Sequence, residues 1–404
     1  DAAKTLLQPV QPVDIAEAIG FLPLVLQAFA FRLLSKNEAI EVYEYLDPAV
    51  QQSLLDRLRS SEVLELVEEM SPDDRVQLFD ELPAKVVPRL LAELSPSERR
   101  VTAQLLGYET ETAGRLMTPE FIDLKEFHTA AEALTIVRTR APDTETIYSL
   151  YVTDGERHLT GILSLRDLVT AEPEALIGDV MTKGVVNVRT DTDQEEVARI
   201  VSQYNYLAVP VIDQEGQLLG IVTVDEIVDV IREEATEDFL QMAGAGKDRE
   251  ILMKSSWDNA RSRLPWLFAS WVGGVCAAAI IGIFDNTLQS TLALAAFIPV
   301  VIGMGGNIGT QTSTLVVRGL ATGRVNVGNN INIIFKEIRV GLILGILYGL
   351  LLGLFAIMSF VDISPYLGLV VGLAIACSML IATAFGSLVP LLLHRMDIDP
   401  AIAT

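Results

Sequence analysis

The sequence predicts a multi-domain chain: an all-α helical-repeat N-terminal domain, an α/β tandem pair, and an α-helical transmembrane bundle. Three observations predict it. Charge is segregated along the 404 residues: positions 1–260 hold 23 Lys+Arg against 48 Asp+Glu, while 261–404 hold 7 against 5, for a net charge of −23 overall. A proline preceded by Asp or Ser recurs every 24 residues, at Pro48, Pro72 and Pro96. Further on, an α/β unit occurs twice, with Met117-Thr118 answering to Met181-Thr182 at an offset of 64.

The first element is the helical domain, residues 1–113. Asp47-Pro48, Ser71-Pro72 and Ser95-Pro96 each read as an N-cap followed by a first-turn proline. Ser71/Asp74 and Ser95/Glu98 have the spacing of a capping box. Apolar residues follow each cap at helical period, which predicts a stack of helix pairs with a scaffolding role.

The duplicated unit follows, at 114–177 and 178–232. Val152-Thr153-Asp154 and Gly161 to Asp167 match Val211-Ile212-Asp213 and Gly220 to Glu226 without a gap. Each copy reads as strand, helix, strand, strand, helix, and such copies pair about a pseudo-twofold axis. Ser164 at the start of the last helix, with Asp167 three residues on, reads either as a ribose-binding hydroxyl and acid or as a helix cap. Residues 233–262 then form a connecting helix. On the helical run from Asp225 to Asp238 that leads into it, Glu226, Asp229, Glu233 and Glu237 fall on one stripe, where like charges repel. A solvated face is one reading; a hard-cation site, which explains why the repulsion is tolerated, is the other.

The last element, 263–404, contains four apolar spans near 264–284, 288–317, 340–361 and 366–393, each long enough to cross a bilayer. Arg261, Arg263, Arg318, Arg324, Lys336, Arg339 and Arg395 all fall on one side of these spans, which the positive-inside rule makes cytoplasmic. The second span holds Pro299, Gly303, Gly305, Gly306, Asn307, Thr310 and Gln311. Polar groups at membrane depth are costly unless they face protein or water. Close packing through small residues is one reading. A water-filled ion path lined by those glycines and by Asn307, Thr310 and Gln311 is the other, because packing does not call for the amides. None of the four spans has an acid near its middle. The end of the sequence, from Asp397, reads as a turn entering a further helix, and its beginning carries neither Met nor the basic-then-apolar pattern of a signal peptide.

Other classes are disfavoured. The acidic excess argues against nucleic-acid partners. His128, His158 and His394 share no ligand spacing, and Cys276 and Cys377 lie in apolar runs as small core residues would. No nucleophile–base pair or P-loop is present, so an enzyme is not expected.

With these residues in hand the chain resembles the MgtE family of magnesium channels. The resemblance rests on 299–311 (PVVIGMGGNIGTQ), on 234–238 (EATED) and on the turn at Asp399-Pro400-Ala401, and it includes a paired CBS domain for the duplicated unit. It implies a homodimer in the cell membrane, closed by cytoplasmic Mg²⁺ on its acidic domains, with no fifth span in this sequence. It further implies metal ligands at Glu41, Asp73, Glu226, Asp229, Glu234, Glu237, Asp238 and Asp399. Ser164, Arg166, Asp167, Val186 and Tyr206 would line a nucleotide (ATP) site. The sequence departs from the family at Asn205, at Arg115 and in having Glu226 where Asp is usual. A coupled divalent-cation carrier and a membrane-anchored nucleotide sensor without transport are the alternative readings.

Overall fold

A computed structural model of the chain describes residues 10–31, 33–34, 36–55, 60–82, 86–245, 256–322, 330–360, 366–396 and 398–403. It divides into two compact units, Asp1–Ile231 and Arg232–Thr404. Arg324, Asp362 and Asp397, and part of the connecting segment, lie outside the described residues.

The first unit begins with short helices: α1 (Pro12–Gly20), α2 (Leu24–Phe31), α3 (Lys36–Glu44), α4 (Pro48–Leu55), α5 (Ser60–Glu69), α6 (Pro72–Glu81), α7 (Val87–Glu93) and α8 (Pro96–Leu105). The repeated prolines open α4, α6 and α8, as their 24-residue spacing predicts. A core of Ile15, Phe31, Val42, Tyr43, Leu54, Val67, Met70 and Phe79 joins them. The caps depart from expectation. Ser95 accepts from the Glu98 amide at 3.4 Å, but the Glu98 carboxylate turns to Arg75 Nη1 at 2.7 Å. The Ser95 amide is taken instead by Glu68, and Ser71 donates its hydroxyl to Asp74 rather than capping α6. Neither reciprocal box forms: a buried guanidinium claims the Glu98 carboxylate, and the Asp74 carboxylate takes the Ser71 hydroxyl. Arg75, 1% exposed, also donates to the carbonyls of Val67 at 2.7 Å and Met70 at 2.6 Å and to Thr102 Oγ1 at 3.0 Å. It ties the end of α5 to α6 and α8, and a buried charge is tolerated only when its donors are satisfied in this way.

After a single turn, α9 (Ala113–Leu116), the duplicated unit appears as β1 (Asp123–Leu124), α10 (Ala130–Arg140), β2 (Ser149–Thr153), β3 (Leu159–Ser164) and α11 (Leu165–Thr170). A second short turn, α12 (Ile177–Val180), leads into β4 (Val188–Arg189), α13 (Gln194–Tyr204), β5 (Ala208–Ile212), β6 (Leu218–Thr223) and α14 (Val224–Met242). Each copy is a three-stranded sheet whose first pair is parallel and whose second is antiparallel. The pseudo-twofold axis is visible in the bridges: Thr118 pairs with Ile221, and Thr182 pairs with Ile162. At each crossing a glycine admits the other copy's methionine, Gly220 to Met117 and Gly161 to Met181. Val76 of α6 and Leu105 of α8 share a core with Val197, Val209, Val222 and Ile227 of the second copy. That shared core seats the helical domain on the second α/β copy.

In the second unit, α15 (Ser256–Ile283), α17 (Ala293–Ala321), α18 (Asn330–Ser359) and α19 (Tyr366–Arg395) are long and apolar enough to cross a membrane; the short α16 (Asp285–Ser290) precedes α17. At 1.5 Å per residue, helices of 28–30 residues exceed the ~30 Å hydrocarbon core, so they extend past it. Gly345, Gly349 and Gly353 of α18 meet Ala376, Gly372 and Gly368 of α19; a Cβ on Gly349 would lie 2.7 Å from the Gly372 carbonyl. Backbones therefore touch along this seam, the close approach that small residues four apart permit. Cys276 and Cys377 are exposed on the helices, not core residues as expected. In a membrane an apolar run does not separate inward from lipid-facing positions, because lipid is as apolar as a core.

Candidate functional site

Two helix N-termini bring acids together within the first unit. α6 starts with Asp73 and Asp74, and α14 starts with Asp225 and Glu226. The helix dipoles favour negative charge at both places, but burial dominates. Asp73 is buried, and its carboxyl is raised to about 8 by that burial first, then by Asp74 and Glu145. Its Oδ1 has no hydrogen-bond partner among the described residues. Glu226, half-buried, is raised to about 9 by burial and then by Asp73, Asp74, Asp225 and Asp229. Glu145, at the open edge of the cluster, is raised to about 7 by partial burial and by Asp225, Asp74 and Glu120. Glu120 is raised by burial and Glu98, with Arg75 opposing. Glu145 and Glu120 were invisible to pattern reading, since both sit in loops without period or motif.

This arrangement calls for a proton or a cation. An orphaned buried carboxylate oxygen among like charges is relieved by a proton or by a hard metal ion, and oxygen donors suit Mg²⁺. No three His, Cys, Asp or Glu groups stand close enough to hold one ion between them among the described residues. A hydrated Mg²⁺, bound through one or two carboxylates with the rest of its shell water, does not need three.

The remaining expected ligands are dispersed. Glu41 is exposed on α3 and is not among the charges acting on Asp73 or Glu226. Along α14, Asp229 is exposed, Glu234 and Asp238 are half-buried, and Glu237 is buried with its Oε1 accepting from Gln241 at 2.8 Å. Asp399 accepts from the Ala401 amide at 2.8 Å and caps the final turn (Pro400–Ala403). Two departures from the family pattern have local explanations. Asn205 ends α13 in the left-handed region, φ 53°, which Asn tolerates. Arg115 pairs with Asp80 of α6 through Nε at 2.9 Å and adds a second tie between the helical domain and the duplicated unit.

At the expected nucleotide site, Ser164 caps α11: its Oγ accepts from the Asp167 amide at 3.1 Å and donates to Asp167 Oδ2 at 2.6 Å. Arg166 is exposed, Val186 is half-buried, and Tyr206 is half-buried and stacked on Tyr204. The equivalent pair in the second copy is Thr223 and Glu226. Thr223 Oγ1 is buried without a partner among the described residues, and Glu226 lies within the field of Asp73, Asp74, Asp225 and Asp229.

In α17 the helix runs unbroken through Pro299. Gly303, Gly306, Asn307, Thr310 and Gln311 share one face and are all exposed in the single chain. Gly305 lies on the other side, buried, where a Cβ would meet Ser378 of α19 at 2.5 Å. The chain's own helices thus cover the packing face and leave the amide-bearing face open. An apolar cavity of about 370 Å³ between α15, α17 and α19, lined by residues such as Ile280, Phe297 and Val371, holds none of these polar groups.

Comparison with known proteins places this architecture. The model of the MgtE intracellular N domain matches residues 10–111, CBS domains match 113–174 and 177–233, and the MgtE divalent cation transporter domain matches 298–404. The magnesium transporter MgtE of Thermus thermophilus is 41% identical over 303 residues, 74% of this chain and 66% of the relative. That of Bacillus subtilis is 36% identical over 307 residues, 76% and 67% respectively. The chain thus spans about two thirds of the length of the curated relatives it matches. A solved structure of the cytosolic domain of the Mg²⁺ channel MgtE in complex with ATP is 40% identical, with a TM-score of 0.54, covering 56% of this chain and 92% of that one. These relatives carry the names of transporters and channels, not of enzymes. From its helical domain through its CBS pair to its membrane helices, the chain belongs to the MgtE family.

Proposed function

We propose that this chain is the greater part of a Mg²⁺ channel or transporter of the cell membrane, active as a homodimer and closed by Mg²⁺ on its cytoplasmic face. The observation that carries the reading is the convergence of Asp73 on α6, Glu145 and Glu226 on α14, three separate segments whose carboxyls are all raised. Without a cation these acids repel one another across the seam between the helical domain and the second CBS copy. Mg²⁺ at Asp73 and Glu226, with Asp229 and Glu145 at the rim, offsets that repulsion and holds the domains together. Glu234, Glu237, Asp238 and Asp399 would act similarly in the second unit.

The ion path is assigned to the exposed face of α17. Asn307, Thr310 and Gln311 offer side-chain oxygens to a cation, and Gly303 and Gly306 leave room for its waters. A face of this polarity does not rest against lipid, so a second copy completes it. Ser164, Arg166 and Asp167 with Val186 and Tyr206 are the candidate ATP site; the ribose would compete for the bond that Ser164 now gives to Asp167.

The test is Mg²⁺ influx into proteoliposomes carrying the full-length protein, with free Mg²⁺ on the cytoplasmic face as the variable. Influx that falls as cytoplasmic Mg²⁺ rises supports the reading. Influx that ignores cytoplasmic Mg²⁺ removes the sensor, and influx that requires a Na⁺ or H⁺ gradient makes the protein a coupled carrier.

A further inference from the structure

The sensor helix α14 ends in a form that depends on one glycine. The Ala245 amide donates to the Leu240 carbonyl at 2.9 Å and the Gly244 amide to that of Gln241 at 2.8 Å, the two bonds of a Schellman end. Gly244 takes φ +66°, a conformation that costs glycine little. It has a second reason to be glycine: a Cβ there would overlap the indole ring of Trp266. Glu237 and Gln241, both buried and bonded to each other, precede Gly244 at seven and three residues, so all three lie on one helical face.

Trp266 belongs to α15, near the end of the first span that carries Arg261 and Arg263, where tryptophan rings are favoured. Pro265 beside it removes one backbone bond from α15, which weakens the helix against bending there. A rigid ring is thus seated against bare backbone at the end of one helix and next to a weak point in another.

We propose that Gly244 and Trp266 form the joint through which α14 positions the first span, making them positioning residues for Mg²⁺-dependent closure. The inference rests on the channel reading above. α14 is one helix of 19 residues from the first candidate ligand to its glycine end, so it moves as a rod about 28 Å long. A ring packed on backbone has no side-chain slack, and a displacement of the rod passes directly into the span.

Three substitutions in the full-length protein test the joint by the cytoplasmic Mg²⁺ concentration that halves influx. Gly244→Asn keeps the left-handed helix end, which Asn tolerates, but fills the seat of the ring. Trp266→Ala empties the seat without touching α14, and Trp266→Phe keeps a ring in it. Gly244→Asn and Trp266→Ala are each expected to raise the half-closing concentration about tenfold, within the usual range of coupling between sites. Their influx without cytoplasmic Mg²⁺ stays at the wild-type level, and Trp266→Phe stays within about twofold in the half-closing concentration. The double variant is expected to shift no more than either single one, because both break the same contact. Wild-type closure with unchanged half-closing concentrations in Gly244→Asn and Trp266→Ala, or additive shifts in the double variant, would overturn the joint. A wild-type protein that Mg²⁺ does not close would overturn the channel reading itself.

Discussion

The two CBS copies carry a hydroxyl and an acid at the start of the same helix and put them to different use. In the first, Ser164 and Asp167 bond each other at 2.6 Å and cap α11. In the second, Thr223 Oγ1 is buried with no partner among the described residues, and Glu226 lies within the field of Asp73 and Asp74. The cause is packing: Val76 and Leu105 seat the helical domain on the second copy, which brings the acids of α6 against those of α14. The duplication has left one copy with a self-satisfied cap, the bond that the proposed nucleotide site would exchange for a ribose hydroxyl. The other has an unsatisfied acidic seam, suited to a cation.

The largest expected effect comes from pH, because it acts on all the raised groups of the seam together. Asp73, Glu145 and Glu226 have folded-state values of about 8, 7 and 9 against ordinary values of 3.8, 4.5 and 4.5. Between those limits the folded state binds more protons than the unfolded one, so stability falls as pH rises through that window. The Mg²⁺-free cytosolic unit is expected to lose more than about 4 °C of Tm between pH 6 and 9, at roughly 2–4 °C per kcal/mol for a domain of this size. Added Mg²⁺ should restore it at pH 9. A Tm that rises over the same range would show the seam to be relaxed without a cation.

Glu226→Gln removes one group that must take up a proton on folding, from the second copy only. The Mg²⁺-free unit should melt about 2–4 °C higher at pH 8, and the stabilisation produced by Mg²⁺ should shrink. The matching change in the first copy acts differently. Ser164→Ala is expected to cost about 1 kcal/mol as a lost cap, and to weaken ATP binding measured by calorimetry while leaving the Mg²⁺ response intact. The smallest effect is Thr223→Val, within about 0.5 kcal/mol of wild type by denaturant titration, since its Oγ1 makes no bond to lose. A large loss from Thr223→Val would mean that the hydroxyl has a partner and that the two copies are more alike than described.

Much of this was legible in the sequence. Prolines at a 24-residue spacing placed the starts of α4, α6 and α8, and the duplication placed both sheets and the axis between them. The acids at 73 and 226 entered through the family resemblance, and what makes them a candidate site is tertiary. Their raised carboxyls depend on the helical domain sitting on the second copy, which no local pattern states. Glu120 and Glu145, in loops, carry no signal at all. Arg75 reads as an ordinary exposed residue of a polar helix, yet it is buried and draws Glu98 out of its expected capping box. Gly341, Gly345, Gly349 and Gly353, four apart in α18, are a readable sign of the α18–α19 seam. Gly305 shows the reverse: within that motif, composition alone does not separate the packing glycine from those on the open face.

The most direct measurement is Mg²⁺ influx by the full-length Asp73→Asn/Glu226→Gln variant beside wild type, titrating free Mg²⁺ on the cytoplasmic face. The expected result is a half-closing concentration raised by about tenfold or more, with influx in the absence of cytoplasmic Mg²⁺ unchanged. Closure of the variant at the wild-type concentration would contradict the assignment of the seam between α6 and α14 as the Mg²⁺ sensor.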